Sequence, residues 1–84
     1  MFLNYEFIQD IIVNNKLKPY VYRLLIYLFT ITDMQYRIKN LTQEEMAQGA
    51  VITRPNVSRG LKQLVEANVL VQDGRDYYFN RELF

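Results

Sequence analysis

The apolar positions of this chain recur in blocks, and the spacing changes from one block to the next. Over residues 19–33, Val21, Leu24, Leu25, Leu28 and Ile31 repeat at helical intervals and predict one helix. Tyr22, Ile26 and Phe29 add a second stripe, and Tyr20 and Tyr27 widen the apolar surface until it runs nearly all round. A helix of that kind is buried on several sides. Pro19 suits its first turn, where a missing N–H costs nothing. Residues 36–39 alternate and predict a short strand, after a connector of Thr32-Asp-Met-Gln.

Between Leu41 and Asn68 the pattern is helical twice over. Thr42 and Glu45 stand as Thr-x-x-Glu, a capping box in which each side chain satisfies an orphan backbone N–H of the other. Leu41 and Met46 are placed to close a hydrophobic staple across the same start. A second start follows at Thr53, an N-cap type, with Pro55 in the first turn. From there Val57, Leu61, Leu64 and Val65 keep helical spacing. The exposed remainder is Arg54, Asn56, Ser58, Arg59, Lys62 and Gln63, a face with three cations and no anion. Two short helices joined by a tight turn, the second covered with groups that reach phosphates and base edges, read as a helix-turn-helix with its recognition helix at 54–67.

Beyond Asn68, a fitting left-handed C-cap, residues 69–72 and 75–79 are two β-prone runs around Asp73-Gly74. Asp-Gly between such runs predicts a hairpin with a type I′ turn. That register sets Leu70 against Tyr77 and Val69 against Tyr78, with Arg75 at the tip. At the other end, residues 2–15 fit either a helical stripe (Tyr5, Ile8, Ile11, Ile12) or an aromatic edge strand. A helix over at least 9–14 is the reading taken.

Composition narrows the function. Eighty-four residues make one domain. Cysteine and histidine are both absent, which excludes a disulfide scaffold, the usual zinc sites and Cys- or His-based nucleophiles. No metal or cofactor is expected. Glu6 and Asp10 interrupt the N-terminal stretch, and Arg23 breaks an apolar run too short for a bilayer, so neither a signal peptide nor a membrane span is expected. The expected location is the cytoplasm. A formal net charge of +1 gives no global pull toward nucleic acid, so the electrostatic case is local. Seven tyrosines and five phenylalanines exceed what one small core consumes. The surplus surface on helix 19–33 is covered either by residues 2–15 folding over it or by a second copy. A homodimer through the N-terminal segment and helix 19–33 is the favoured reading.

In order, these elements resemble a winged helix-turn-helix domain over roughly residues 17–80. The specific runs are Leu41-Thr-Gln-Glu-Glu-Met-Ala, Ile52-Thr-Arg-Pro-Asn-Val-Ser-Arg-Gly-Leu-Lys-Gln-Leu and Glu66-Ala-Asn-Val-Leu, similar to bacterial winged-helix regulators. At the turn, the regulators that this run resembles usually carry glycine, and the place is taken here by Val51. A β-branched side chain resists positive φ, so the first helix of the pair is expected to end near Gly49. Val65-Glu-Ala-Asn-Val-Leu together with Tyr77-Tyr-Phe-Asn-Arg-Glu-Leu-Phe84 is similar to RepL-like plasmid and phage replication proteins, with Arg81 in place of that pattern's proline. The resemblance implies a mainly helical α/β fold: a three-helix core, a small antiparallel β-wing and an extra N-terminal segment. It divides the chain into residues 1–16 and a winged domain at 17–84. The implied partner is double-stranded DNA, and the implied role is transcription regulation or control of plasmid or phage replication.

On this reading Arg54, Asn56 and Arg59 meet base edges, while Thr53, Ser58 and Lys62 make phosphate or mixed contacts. Gln43 donates to a phosphate from the first turn of its helix, against the nearby Glu44 and Glu45. Arg75 reaches the minor groove or a phosphate from the wing tip, unless it pairs with Asp73 or Asp76. Tyr77 and Tyr78 are read as packing groups. Asp73 and Asp76 straddle a turn, a poor geometry for paired acid–base work, and no glycine-rich phosphate loop is present, so the chain is not an enzyme. The rival reading is a winged-helix protein–protein interaction module that uses helix 19–33 and never touches DNA.

Overall fold

The computed structural model describes residues 6, 9, 10, 13 and 17–83. Its elements are α1 (Pro19–Thr30), α2 (Gln43–Ala50), α3 (Arg54–Glu66), β1 (Leu70–Asp73), β2 (Asp76–Phe79) and a closing 3-10 turn at Arg81–Leu83. From residue 17 onward, three helices with a two-stranded antiparallel sheet after the third make a mainly helical winged helix-turn-helix.

α1 starts at Pro19, as its fixed φ allows, but ends at Thr30 rather than at residue 33. The β-branched run Thr30-Ile-Thr explains the early stop. Thr30 Oγ1 donates to Tyr27 O at 2.6 Å and Thr32 Oγ1 to Leu28 O at 2.5 Å, which satisfies carbonyls that a longer helix would have used. The chain then doubles back. Asp33 Oδ1 accepts from the N–H groups of both Gln35 and Arg37 at 2.9 Å, and Tyr36 takes φ +65°. The predicted strand at 36–39 is therefore reduced to isolated bridges, Thr32 with Ile38 and Arg37 with Tyr78.

The capping box at α2 is present in full: Glu45 N–H donates to Thr42 Oγ1 at 3.1 Å, and Thr42 N–H to Glu45 Oε1 at 3.2 Å. Met46 is buried and Leu41 half-buried, as the staple requires. The far end differs from expectation. α2 runs to Ala50, and Val51 itself adopts the left-handed conformation at φ 57° and ψ 48°. Its N–H and that of Ile52 both donate to Ala47 O, which closes the helix end. The helix is held to its full length against the preference of Val51.

α3 ends one residue before the expected 67, and Asn68 takes the left-handed position with φ 62°. Val57, Leu61 and Leu64 point into the core with Val21, Leu24, Leu25 and Leu28 of α1. Gly60 lets the two helices close up, since a Cβ there would lie 2.8 Å from Leu24 Cδ2.

The hairpin exists, in another register. Leu70 pairs with Phe79, Val71 with Tyr78, Gln72 with Tyr77 and Asp73 with Asp76, so the loop is Gly74-Arg75 and not Asp73-Gly74. A type I′ turn needs positive φ at both loop positions. Here Gly74 alone has it, at +62°, the φ pattern of a type II′ turn with glycine first. Asp73 and Asp76 thus face each other, an unfavourable pair. The Arg37 guanidinium relieves it, 3.4 Å from Asp76 Oδ1.

Much of the aromatic surplus is consumed inside the fold. Phe29 stacks on Phe79 with ring centroids 4.6 Å apart, Tyr20 OH accepts from Gln63 Nε2 at 3.2 Å, and the Tyr27 ring lies where a Cβ on Gly49 would be. Gln63 is therefore a half-buried link between α3 and α1, and not part of the free face. On α1, Ile26 remains 65% exposed. Glu6, Gln9, Asp10 and Val13 are helical, in line with a helix there. The rest of the expected 9–14 helix, and most of the segment assigned to the dimer contact, lies outside the described residues.

Two stability predictions follow from the helix ends. Val51→Gly removes about 1–2 kcal/mol of left-handed strain and adds roughly 0.5–1 kcal/mol of unfolded-chain entropy. The side chain is 75% exposed, so little packing is lost. The expected net is a stabilisation of up to about 1 kcal/mol, read from the urea midpoint at unchanged slope. Thr42→Ala, which breaks the capping box, is expected to cost about 1 kcal/mol in the same titration.

Candidate nucleic-acid interface

The row that α3 turns outward follows from the row it turns inward. With Val57, Leu61 and Leu64 buried, positions four apart on the next face of the helix, Arg54, Ser58 and Lys62, stand in one exposed line. Arg59 is exposed and Asn56 half-buried on the neighbouring edge. These two are linked: Arg59 Nη1 donates to Asn56 Oδ1 at 3.3 Å. The bond holds the guanidinium and the carboxamide side by side. To read adenine with both of its polar atoms, Asn56 must release that acceptor, since the bidentate pairing needs the carbonyl as well as the NH2.

Thr53 sits at the N-cap of α3 with extended backbone, yet its side chain makes no capping hydrogen bond. Its hydroxyl is exposed beside Arg54. The two threonines at helix starts thus differ, with Thr42 closing a box and Thr53 making no side-chain cap.

The anion-free character of the face holds over the first part of α3 and ends at Glu66. That residue is exposed in the last turn and shares a groove with Lys62. The carboxylate lies four residues beyond Lys62, so the cationic part of the helix is its N-terminal two turns and a half, residues 54–62.

Gln43 is half-buried in the first turn of α2. It lines two adjoining grooves between the helices and the wing. One brings it together with Ser58, Lys62 and Gln72, and the other with Lys39 and Arg75. The backbone N–H groups of Gln43 and Glu44 have no partner among the described residues, while Glu45 is engaged in the capping box. Arg75 is exposed in the hairpin loop. The pairing that threatened its role does not occur. Asp76 is held by Arg37, and the Arg75 side chain makes no ion pair among the described residues.

Every cation and polar group proposed from the sequence therefore lies on one side of α3, at the start of α2 or on the wing. Lys39, Asn40 and Gln72 line the same grooves and went unnoticed. Residues 36–39 read only as a strand, and Gln72 only as the last residue of one. The signal available for Lys39 was its place directly before the capping box, where the chain must pass beside the helix start.

Tyr77 packs against the core from the edge of both grooves and Phe79 is buried, while Tyr78 is half-buried opposite Val71. Among the described residues no group of three or more acidic side chains is placed to hold a metal, and no helix is long and apolar enough to cross a membrane. No buried side-chain polar atom among them lacks a hydrogen-bond partner.

Comparison with known proteins agrees with this geometry. The family profile of the Crp-like helix-turn-helix domain matches residues 21–81, from the first turn of α1 through the wing to the closing 3-10 turn. No curated protein and no solved structure gives a significant match to the chain. The family supports DNA binding and a regulatory role, and such domains are typically not enzymes. With the profile covering most of its length, this chain belongs to the Crp-like helix-turn-helix family.

Proposed function

We propose that the protein reads a specific double-stranded DNA sequence with α3 in the major groove. The observation that carries this is the exposed face of α3, where Arg54, Arg59 and Lys62 project with no carboxylate among them before Glu66. Arg54, Asn56 and Arg59 take the base edges, because a guanidinium pairs with guanine and a carboxamide with adenine. Thr53, Ser58 and Lys62 meet phosphates along the groove wall. Gln43 donates to a phosphate from the start of α2, and Arg75 reaches the flanking backbone or minor groove from the wing.

The reading includes a second copy. Residues 1–16 pack on or swap over the winged domain at 17–84, and together with α1 they form the contact between copies. Two recognition helices then enter successive major grooves about 34–36 Å apart, on a two-fold site. The exposed Ile26 and Val13 support an apolar contact there. The protein acts in the cytoplasm as a repressor or as a replication-control factor of a plasmid or phage. The run Val65-Glu-Ala-Asn-Val-Leu and the chain after Tyr77 support the mobile-element assignment through their likeness to RepL-like proteins.

Selection of the full chain over a random duplex pool, at several salt concentrations and with the mass of the complex measured, tests the reading. The expected result is enrichment of a palindrome bound by two copies, with a log–log salt slope of about −0.9 per neutralised phosphate. Sequence-blind binding, or none, sinks it. On the enriched site, Arg54→Ala and Asn56→Ala are each expected to lose about 1–3 kcal/mol of discrimination at one base pair. Lys62→Ala should weaken all duplexes alike. Thr53→Ala should weaken binding while changing stability by less than about 0.5 kcal/mol, as an exposed non-capping residue.

A further inference from the structure

Between the wing and the start of α2 lies a groove of about 260 Å³, with Lys39, Asn40 and Gln43 on one side and Gln72 and Arg75 on the other. Lys39 and Arg75 are exposed cations on opposite lips, far apart in sequence and brought together by the fold. Asp76 is the sole acidic residue in the lining. Its carboxylate is met by the Arg37 guanidinium at 3.4 Å, from the bridge segment that runs beside β2. With Asp76 neutralised from behind, the groove offers two uncancelled cations and the carboxamides of Asn40, Gln43 and Gln72 as donors.

This groove runs on into the one along α3. Gln43, Leu61, Gln72 and Tyr77 line both, and the second adds Ser58 and Lys62, with the Glu66 carboxylate at its far end beyond Lys62. The result is a single trough that passes from Lys62, by Ser58 and Gln43, to the Lys39–Arg75 pair. Cations and neutral donors spaced along a trough fit an extended polyanion, whose charges repeat, better than a compact ligand with one charged end.

We propose that one sugar–phosphate strand of the duplex lies in this trough, gripped at its wing end between Lys39 and Arg75. Lys39 is a direct phosphate contact. Arg37 is a positioning residue that acts through Asp76 by offsetting the one carboxylate that lines the wing end of the trough. The proposal rests on the duplex-reading function above and adds to it a second line of contact, independent of base sequence.

The test uses the full chain and the duplex enriched by selection, alongside an unrelated duplex, across a salt series. Lys39→Ala is expected to weaken both duplexes equally, by about eightfold at 0.1 M salt, and to make the log–log slope shallower by about 0.9, the release of one phosphate's counterions. Arg37→Ala is expected to weaken binding too, and Asp76→Asn in the same chain to restore it, while Asp76→Asn alone causes no loss. All four residues of the pairings are at the surface, so melting curves of the variants should stay close to the parent's. A Lys39→Ala chain with parental affinity and slope, beside an Arg54→Ala chain that has lost its base preference, overturns the trough and leaves α3 as the reader. An Arg37→Ala loss that Asp76→Asn does not repair overturns the role given to Arg37. Failure of the parent chain to bind any duplex overturns both the trough and the function it rests on.

Discussion

The seat of α3 on α1 decides everything that the surface can do. Gly60 is the point of closest approach, with Leu24 packed where any larger residue at 60 would stand. Around it Val57, Leu61 and Leu64 are essentially fully buried. Each such side chain contributes about 1.5–3 kcal/mol when removed from water. Rolling α3 by one position would carry Ser58 and Lys62 toward the core and lift Val57 and Leu61 out, so one orientation dominates. The outward row of Arg54, Ser58 and Lys62 is thus a consequence of packing before it is a device for binding. Gln63 adds direction to the seat by donating to Tyr20, which ties the far edge of α3 back to α1.

A second constraint positions the wing. Two four-residue strands make a hairpin that is marginal by itself. Phe79 makes it part of the domain: the ring stacks on Phe29 of α1, and its N–H donates to Tyr36 O at 2.8 Å. Leu70, its cross-strand partner, is buried as well. Ile38 N–H donates to Tyr77 O at 2.9 Å and Asn80 Nδ2 to Asn68 O at 3.0 Å, so the hairpin is tied at both margins. Because the wing is held on one side by α1 and the 36–38 segment, the space between it and α2 stays open as a groove.

The parts legible in the sequence were those governed by local chemistry or strong periodicity. Thr42 and Glu45 define a helix start through bonds within four residues, and that start appears as read. The three helices follow their apolar spacing with small shifts at the ends. What escaped was set by long-range contacts. Val51 has an unfavourable backbone preference, but stopping α2 at Gly49 would forfeit the last helical position, which buries Ala50, and the packing wins. The hairpin register turned on Phe79. Pairing Leu70 with Tyr77 would leave Phe79 without its buried partner, and Asp-Gly is a weaker determinant than a buried aromatic. In the site, the residues on α3 could be read because a helix face is periodic. Lys39 offered only its place before the capping box and Gln72 offered nothing, because no residue within a few positions of either says that a groove will form between them.

The near-neutral net charge then has a physical meaning. Nine acidic residues offset ten basic ones, so no long-range field gathers DNA to the protein. On the proposed reading, affinity comes from short-range contacts on one side. There Arg54, Arg59, Lys62 and Arg75 form no ion pair among the described residues, and Arg59 is bonded only to the neutral Asn56. Arg37 and Arg81 are engaged elsewhere, on Asp76 and on the Gln35 carbonyl. These six basic residues therefore fall into two groups, two that hold the fold's loops in place and four that the proposed reading turns toward DNA. A handful of free cations gives one copy few phosphate contacts and weak binding at physiological salt. Doubling the contacts on a two-fold site raises the affinity multiplicatively without any change in the single surface, as linked binding does in general. Under the proposed dimeric reading, a small domain with this charge distribution gains most of its grip by acting in pairs.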